Sequence, residues 1–135
     1  MKTTITRRVV FCAGHRLYNP SYSDGKNREI FGPCSNPNGH GHNYTLEVTV
    51  IGEIDRETGM VINLKDLKRV IEEEIVARVD HKNLNSDVDF MAGLIPTTEN
   101  FANRIWEILD RKLGGGKLHR ITLRESENNY IEVTR

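Results

Sequence analysis

The densest chemistry in this chain lies in the stretch Cys34-Ser-Asn-Pro-Asn-Gly-His40-Gly-His42-Asn-Tyr44. His40 and His42 are separated by one residue, and residues i and i+2 of a strand project to the same face. Both imidazoles can therefore reach one point, and Gly39 and Gly41 keep side chains away from it. His15 closes an earlier strand-like segment, the natural antiparallel partner. If the two segments pair, a third imidazole joins the first two. Three neutral imidazoles without a fourth protein ligand describe an open zinc site of catalytic type, with room for water or a substrate oxygen. A bare His-x-His pair is often just two surface histidines. The weight here comes from His15, and from four of the five histidines falling in motif-like positions.

Other reactive side chains surround this motif in sequence. Cys34 lies in a polar Pro/Asn/Gly loop six residues before His40. It can act as a base or nucleophile once ionised, or close the metal site as a fourth ligand. Cys12, inside an apolar strand, is expected to be a small buried hydrophobe. Asp80-His81 follows a helix. There a histidine complements the negative end of the helix dipole, and a carboxylate can also orient an imidazole for proton transfer. Neighbouring helical residues do not face each other, so that pairing needs an irregular helix exit. Glu125 shares a strand face with Ile121 and Leu123, a costly place for a lone carboxylate. It either reaches solvent at a strand end or awaits a ligand with two adjacent N–H donors. Thr97-Thr98-Glu99 reads first as a helix cap and second as a ligand-binding loop.

The elements that must position these groups follow from patterning. Residues 3–14 are rich in β-branched residues and end at Gly14, which predicts a strand. Residues 16–41 read as a long irregular segment, of the kind that is often functional in a compact domain. Residues 42–51 alternate, with His42, Tyr44, Leu46, Val48 and Val50 on one face. Asn63 is the expected N-cap of a helix carrying Leu64, Leu67, Val70, Ile71, Ile75 and Val79. A second helix is expected to start near Thr97 or Thr98 and to stop at Gly114. Strands at 118–125 and 129–134 complete the order β-β-α-α-β-β. The reading is an α+β domain over residues 1–135: an antiparallel four-stranded sheet with two helices on one face. Its other face and its edges would then be open, which points to oligomerisation.

Composition narrows the function classes. A length of 135 residues suits one domain. Nineteen basic and nineteen acidic residues cancel, which argues against a nucleic-acid binder. No apolar run approaches a membrane span, and the first residues lack a secretory signal, so a cytoplasmic protein is expected. Neither cysteine belongs to a Cys-x-x-Cys pair, so a cysteine-rich structural zinc site is excluded.

The strings Phe11-Cys-Ala-Gly-His15-Arg-Leu, Cys34 to Tyr44, Gly52-Glu-Ile-Asp55, Gly59-Met-Val-Ile-Asn63-Leu, Asp80-His81-Lys-Asn-Leu84 and Thr97-Thr-Glu-Asn100 together resemble the 6-pyruvoyl-tetrahydropterin synthase family. The resemblance runs from about residue 5 to residue 130. It implies a tunnelling fold in which the sheets of trimers close into a barrel, two trimers stack as a homohexamer, and active sites lie between subunits. It implies Zn2+ on His15, His40 and His42, catalysis by Cys34, Asp80 and His81, and a pterin anchor at Glu125. Thr97, Thr98 and Glu99 fall in the family's pterin-pocket loop. The implied reaction converts 7,8-dihydroneopterin triphosphate into 6-pyruvoyl-tetrahydropterin with loss of triphosphate. Related 6-carboxytetrahydropterin synthases of queuosine biosynthesis use the same substrate, release acetaldehyde, and typically have a shorter Cys-x3-His-x-His segment. The Cys-x5-His-x-His spacing here favours the pyruvoyl type. A non-catalytic metal-stabilised binding module is the remaining alternative, and it predicts a closed fourth position.

Overall fold

The computed structural model describes Met1–Arg135. Its frame is a ladder of two long antiparallel strands, β1 (Thr3–His15) and β2 (His40–Gly52). They pair without interruption from Thr3 opposite Gly52 to His15 opposite His40. Strands β4 (Leu118–Arg124) and β5 (Tyr130–Thr134) extend the sheet beyond β2. A two-residue strand, β3 (Lys82–Asn83), pairs in parallel with Ala13 and Gly14 on the opposite edge. The sheet order is therefore β3-β1-β2-β4-β5. This corrects the expectation of four antiparallel strands. A two-residue strand carries no alternation for a pattern to reveal.

The segment between β1 and β2 is also more regular than expected. It contains α1 (Asp24–Phe31) and a 3-10 turn over Gly32–Ser35. Ser23 caps α1 by accepting from the Lys26 amide. Asn27 is the one buried residue of α1. With no apolar stripe to bury, this helix leaves no periodic signal.

Asn63 accepts from the Lys65 amide and opens α2 (Leu64–Ile71) as expected. The rod then widens into a π turn, Glu72–Val76, and closes with α3 (Ala77–Val79). Leu67, Ile71, Ile75 and Val79 are all buried although each lies four residues from the last. In a regular helix that spacing drifts by about 40° per step. The wider turn cancels part of the drift and keeps the four on one face. Helix α4 (Thr98–Leu113) is capped by Thr97, which accepts from the Asn100 amide, and stops at Gly114, whose φ is 64°.

Both helical rods cover one face of the sheet. Val9, Phe11, Tyr44, Leu46, Val48, Ile121 and Leu123 pack there against Phe101, Ile105 and Leu109 in one core cluster. Phe11 stacks on Tyr44 with centroids 5.3 Å apart, and Phe101 meets Tyr44 edge-on at 5.4 Å. The other face carries Arg8, Val10, Thr45, Glu47, Arg120, Thr122 and Arg124, and Val10 is 60% exposed. Cys12 belongs to this open face and is exposed, not buried as expected. In a strand, its neighbours Phe11 and Ala13 take the buried positions. No helix is long and apolar enough to cross a membrane.

Candidate active site

The three histidines meet where the β1–β2 ladder ends. His15 lies directly opposite His40, and His42 shares their face one pleat further in. Their ring centroids are 4.7, 4.8 and 5.1 Å apart, with each pair nearly perpendicular. One nitrogen from each ring lies within 4.8 Å of the others. The approach depends on Gly39. A Cβ there would stand 2.8 Å from the His15 carbonyl oxygen, and its φ of 70° disfavours any other residue.

The second nitrogen of His15 fixes its tautomer. Nδ1 lies 2.8 Å from the Pro96 carbonyl, an acceptor only, so Nδ1 carries the proton and Nε2 presents a lone pair. Nε2 faces His40 Nε2 at 3.1 Å. His42 Nε2 is buried without a hydrogen-bond partner, although Glu125 Oε1 lies 3.4 Å away. A single N–H···N bond satisfies the first pair and leaves His42 with nothing. One cation satisfies all three. The donor set therefore fits a metal ion. Burial, the largest cause, pushes the His15 imidazole below its ordinary value, partly opposed by the Pro96 carbonyl. Burial does the same to His42, against the opposing pull of Glu125. Neutral imidazole is the form that binds metal. Beneath the cluster, burial pushes the Tyr44 phenol upward, so this ring remains a neutral wall.

Glu125 joins the cluster from the end of β4. Thr98 donates its hydroxyl to Glu125 Oε2, tying the carboxylate to the first turn of α4. Thr98, Glu99, Glu125, Asn128 and Asn129 line a cavity of 450 Å3. Of the loop read as a cap or ligand loop, Thr97 is the cap, while Thr98 and Glu99 face this cavity. Glu125 thus has a protein partner, and its second oxygen points toward His42.

Asp80 and His81 stand elsewhere. The helix exit is irregular, as their pairing requires: Asp80 is extended and His81 has φ 61°. His81 Nδ1 lies 3.0 Å from Asp80 Oδ1. The same oxygen accepts from the Cys12 amide at 2.9 Å, and this bond is the leading cause holding the Asp80 carboxyl below its usual range. The His81 side chain is 81% exposed. Cys34 is not in the histidine cluster. Its carbonyl accepts from the Leu17 amide, five residues along from Cys12. At strand rise that is about 16 Å. Within one chain, no hydrogen bond or ion pair joins Cys34 to Asp80 or His81.

Sequence reasoning did not find Pro96, 81 positions from the histidine it orients. A backbone carbonyl leaves no residue-type signal. The Thr98–Glu125 bond was equally invisible, since the two residues sit on different elements.

The family description "6-pyruvoyl tetrahydropterin synthase" matches residues 4–135. A protein of that enzyme class from Pongo abelii, 6-pyruvoyl tetrahydrobiopterin synthase, is 52% identical over 127 residues, covering 94% of this chain and 88% of the relative. The human protein of the same name is 50% identical over the same shares. The solved structure of Caenorhabditis elegans 6-pyruvoyl tetrahydropterin synthase superposes with a TM-score of 0.94 at 37% identity, covering 100% of this chain and 96% of that one. The chain belongs to the 6-pyruvoyl tetrahydropterin synthase family and is a lyase of tetrahydropterin biosynthesis.

Proposed function

We propose that the protein converts 7,8-dihydroneopterin triphosphate into 6-pyruvoyl-tetrahydropterin and triphosphate, with Zn2+ held by His15, His40 and His42. The observation that carries this reading is the convergence of three imidazole nitrogens within 4.8 Å, next to a carboxylate that faces a cavity. Zinc would supply a Lewis acid beside the substrate side chain. Cys34 stands outside the cluster, which supports an open fourth position over a closed, purely structural site.

The chain's own residues divide the remaining work. Glu125 accepts from the 2-amino and ring N–H edge of the pterin as a fork, and Thr98 holds the carboxylate in place for it. Thr97 fixes the start of α4, and Glu99 borders the same cavity. Cys34, as thiolate, removes a proton from a side-chain carbon, and the Asp80–His81 pair relays protons. The C–O bond to triphosphate breaks as the electron pair left on carbon moves into a double bond. Ketonisation of the resulting enol makes the carbonyl next to a new terminal methyl group. The remaining hydroxyl, beside the ring, is oxidised to the second carbonyl by giving its two electrons to the dihydropterin ring, which becomes tetrahydro. The step balances internally, without nicotinamide or any external oxidant.

Cys34 and His81 lie far apart on one chain, so in this reading they meet across a subunit boundary. The open sheet face supports the same idea, with Val10 and Cys12 exposed. A homohexamer of stacked trimers, each closing its sheets into a barrel, would cover that face and bring the groups together. The decisive experiment is incubation of zinc-loaded protein with 7,8-dihydroneopterin triphosphate and identification of the product by mass. 6-Pyruvoyl-tetrahydropterin is expected. A 6-carboxy product with acetaldehyde, or an unchanged substrate, would overturn the assignment.

A further inference from the structure

We propose that Arg16 and Arg28 form the seat of the substrate's triphosphate, in a separate polar cavity on the far side of the histidine cluster from Glu125. The proposal rests on the reaction above for the identity of its ligand. The cavity measures 330 Å3, in the range of small-molecule sites, and no hydrophobic residue lines it. Arg16, Arg28 and Asn36 supply its free donors, since Asn27 and Ser35 give theirs to backbone carbonyls, and Asp24 is its single carboxylate.

Its position follows from the chain. Arg16 is the residue after His15, and Ser35 is the residue after Cys34. Glu125 approaches the cluster from the opposite side, against His42. In strand order along the sheet end, Glu125 follows β4, the histidines lie on β2 and β1, and Arg16 follows β1. The substrate has the same order: pterin ring, hydroxylated side chain, triphosphate. A molecule whose ring is gripped at Glu125 and whose side chain crosses the histidines delivers its anionic tail to Arg16.

Arg16 is also built to receive it. Its Nε donates to the Ser35 carbonyl at 2.8 Å, and its guanidinium lies over the Tyr18 ring at 4.0 Å. Its backbone is clamped on both sides by the Asn85 side chain. These contacts fix the plane of the fork yet leave both Nη groups without a protein acceptor. No carboxylate forms an ion pair with Arg16 or Arg28, whereas Arg69, Arg78, Arg104, Arg124 and Arg135 each have one. A guanidinium held rigid and unpaired is pre-organised for bidentate phosphate contacts. Arg28 sits in the last turn of α1, where the helix dipole already favours a cation. Buried Asn27 ties that helix to Asn19 at 2.8 and 3.1 Å, which sets where Arg28 stands.

The test is calorimetric titration of zinc-loaded protein with two fragments of the substrate, inorganic tripolyphosphate and 7,8-dihydroneopterin. Arg28, exposed on a short surface helix, is the variant least able to disturb folding. Arg28→Ala is expected to weaken tripolyphosphate binding about tenfold and to leave dihydroneopterin affinity unchanged. Arg16→Ala is expected to lose more tripolyphosphate affinity at undiminished zinc content. Arg56→Ala, removing another exposed and unpaired arginine, should change neither. Absence of tripolyphosphate binding to the parent protein would overturn the proposal. So would an Arg28→Ala variant that binds it normally or loses both ligands alike, or an equal loss in Arg56→Ala. None of these readouts needs turnover, so a wrong product assignment would appear separately, in the product mass.

Discussion

Two regions of this molecule carry reactive imidazoles, and they are built in opposite ways. At the end of the β1–β2 ladder, His15 is 1% exposed, its Nδ1 is bound to a backbone carbonyl, and its partners follow from strand register. At the end of α3, His81 projects from an irregular exit and its side chain is 81% exposed. The first site is complete within one chain. The second has an oriented carboxylate and an imidazole but no substrate cavity shared with Glu125, and Cys34 lies beyond the far end of β1, where its carbonyl meets the Leu17 amide. A metal-binding group must be rigid because its ligand geometry is fixed by the ion. A proton-transfer group needs only to arrive at the right place, and a second subunit can bring it.

The largest effect separating the two regions is metal loss. His42→Ala removes one of the three proposed ligands and leaves only the Glu125 carboxylate, already bonded to Thr98, near the gap, so zinc measured per chain should fall to background and turnover should vanish. A variant that keeps full zinc occupancy removes His42 from the ligand set. Almost as large, but without metal loss, are the changes at the groups proposed to transfer protons. Cys34→Ala and His81→Ala should each lower kcat by at least about a hundredfold, the scale of general acid–base catalysis, at unchanged zinc content. Mixing sharpens the comparison. If Cys34 and His81 meet across a boundary, hybrid oligomers of the two inactive variants contain some intact sites, and activity returns. Should hybrids stay inactive while each parent assembles normally, the two groups act within one chain or not together.

The contrast also shows what a sequence can reveal. The histidine site was legible because strand periodicity is local: His40 and His42 share a face by alternation alone, and pairing with β1 supplies His15. The same holds for Asn63 and Thr97 as caps, each bonding within three residues. Helix α1 was not legible, because it buries a single asparagine and shows no apolar stripe. The parallel pairing of Lys82–Asn83 with β1 was missed because it is short and non-local. Cys12 was misjudged because its apolar neighbours belong to the opposite face of the strand. Which face a sheet buries depends on where the helices land, and no single strand records that.

A smaller effect tests whether the pterin is gripped by the pinned carboxylate. Glu125→Gln keeps the size of the side chain but removes the charge, and should weaken pterin binding by about 1–3 kcal/mol. Thr98→Val should cost less, since it removes only the hydroxyl that steadies Glu125. Equilibrium titration with 7,8-dihydroneopterin measures both. Unchanged affinity in Glu125→Gln would place the pterin elsewhere.

The smallest effect is on stability, and its sign follows from the burial of the histidines. In metal-free protein the folded-state values of His15 and His42 lie below the ordinary imidazole value of 6.5. Between those depressed values and 6.5, the unfolded chain binds protons that the folded chain refuses. Stability must therefore fall as pH drops below about 6.5, and the loss continues until the folded rings also protonate. Thermal unfolding of metal-free protein between pH 8 and pH 5 should show a declining Tm, and His15→Gln should flatten part of that slope. If His15→Gln leaves the slope as it was, burial of that ring is not what makes the metal-free protein sensitive to acid.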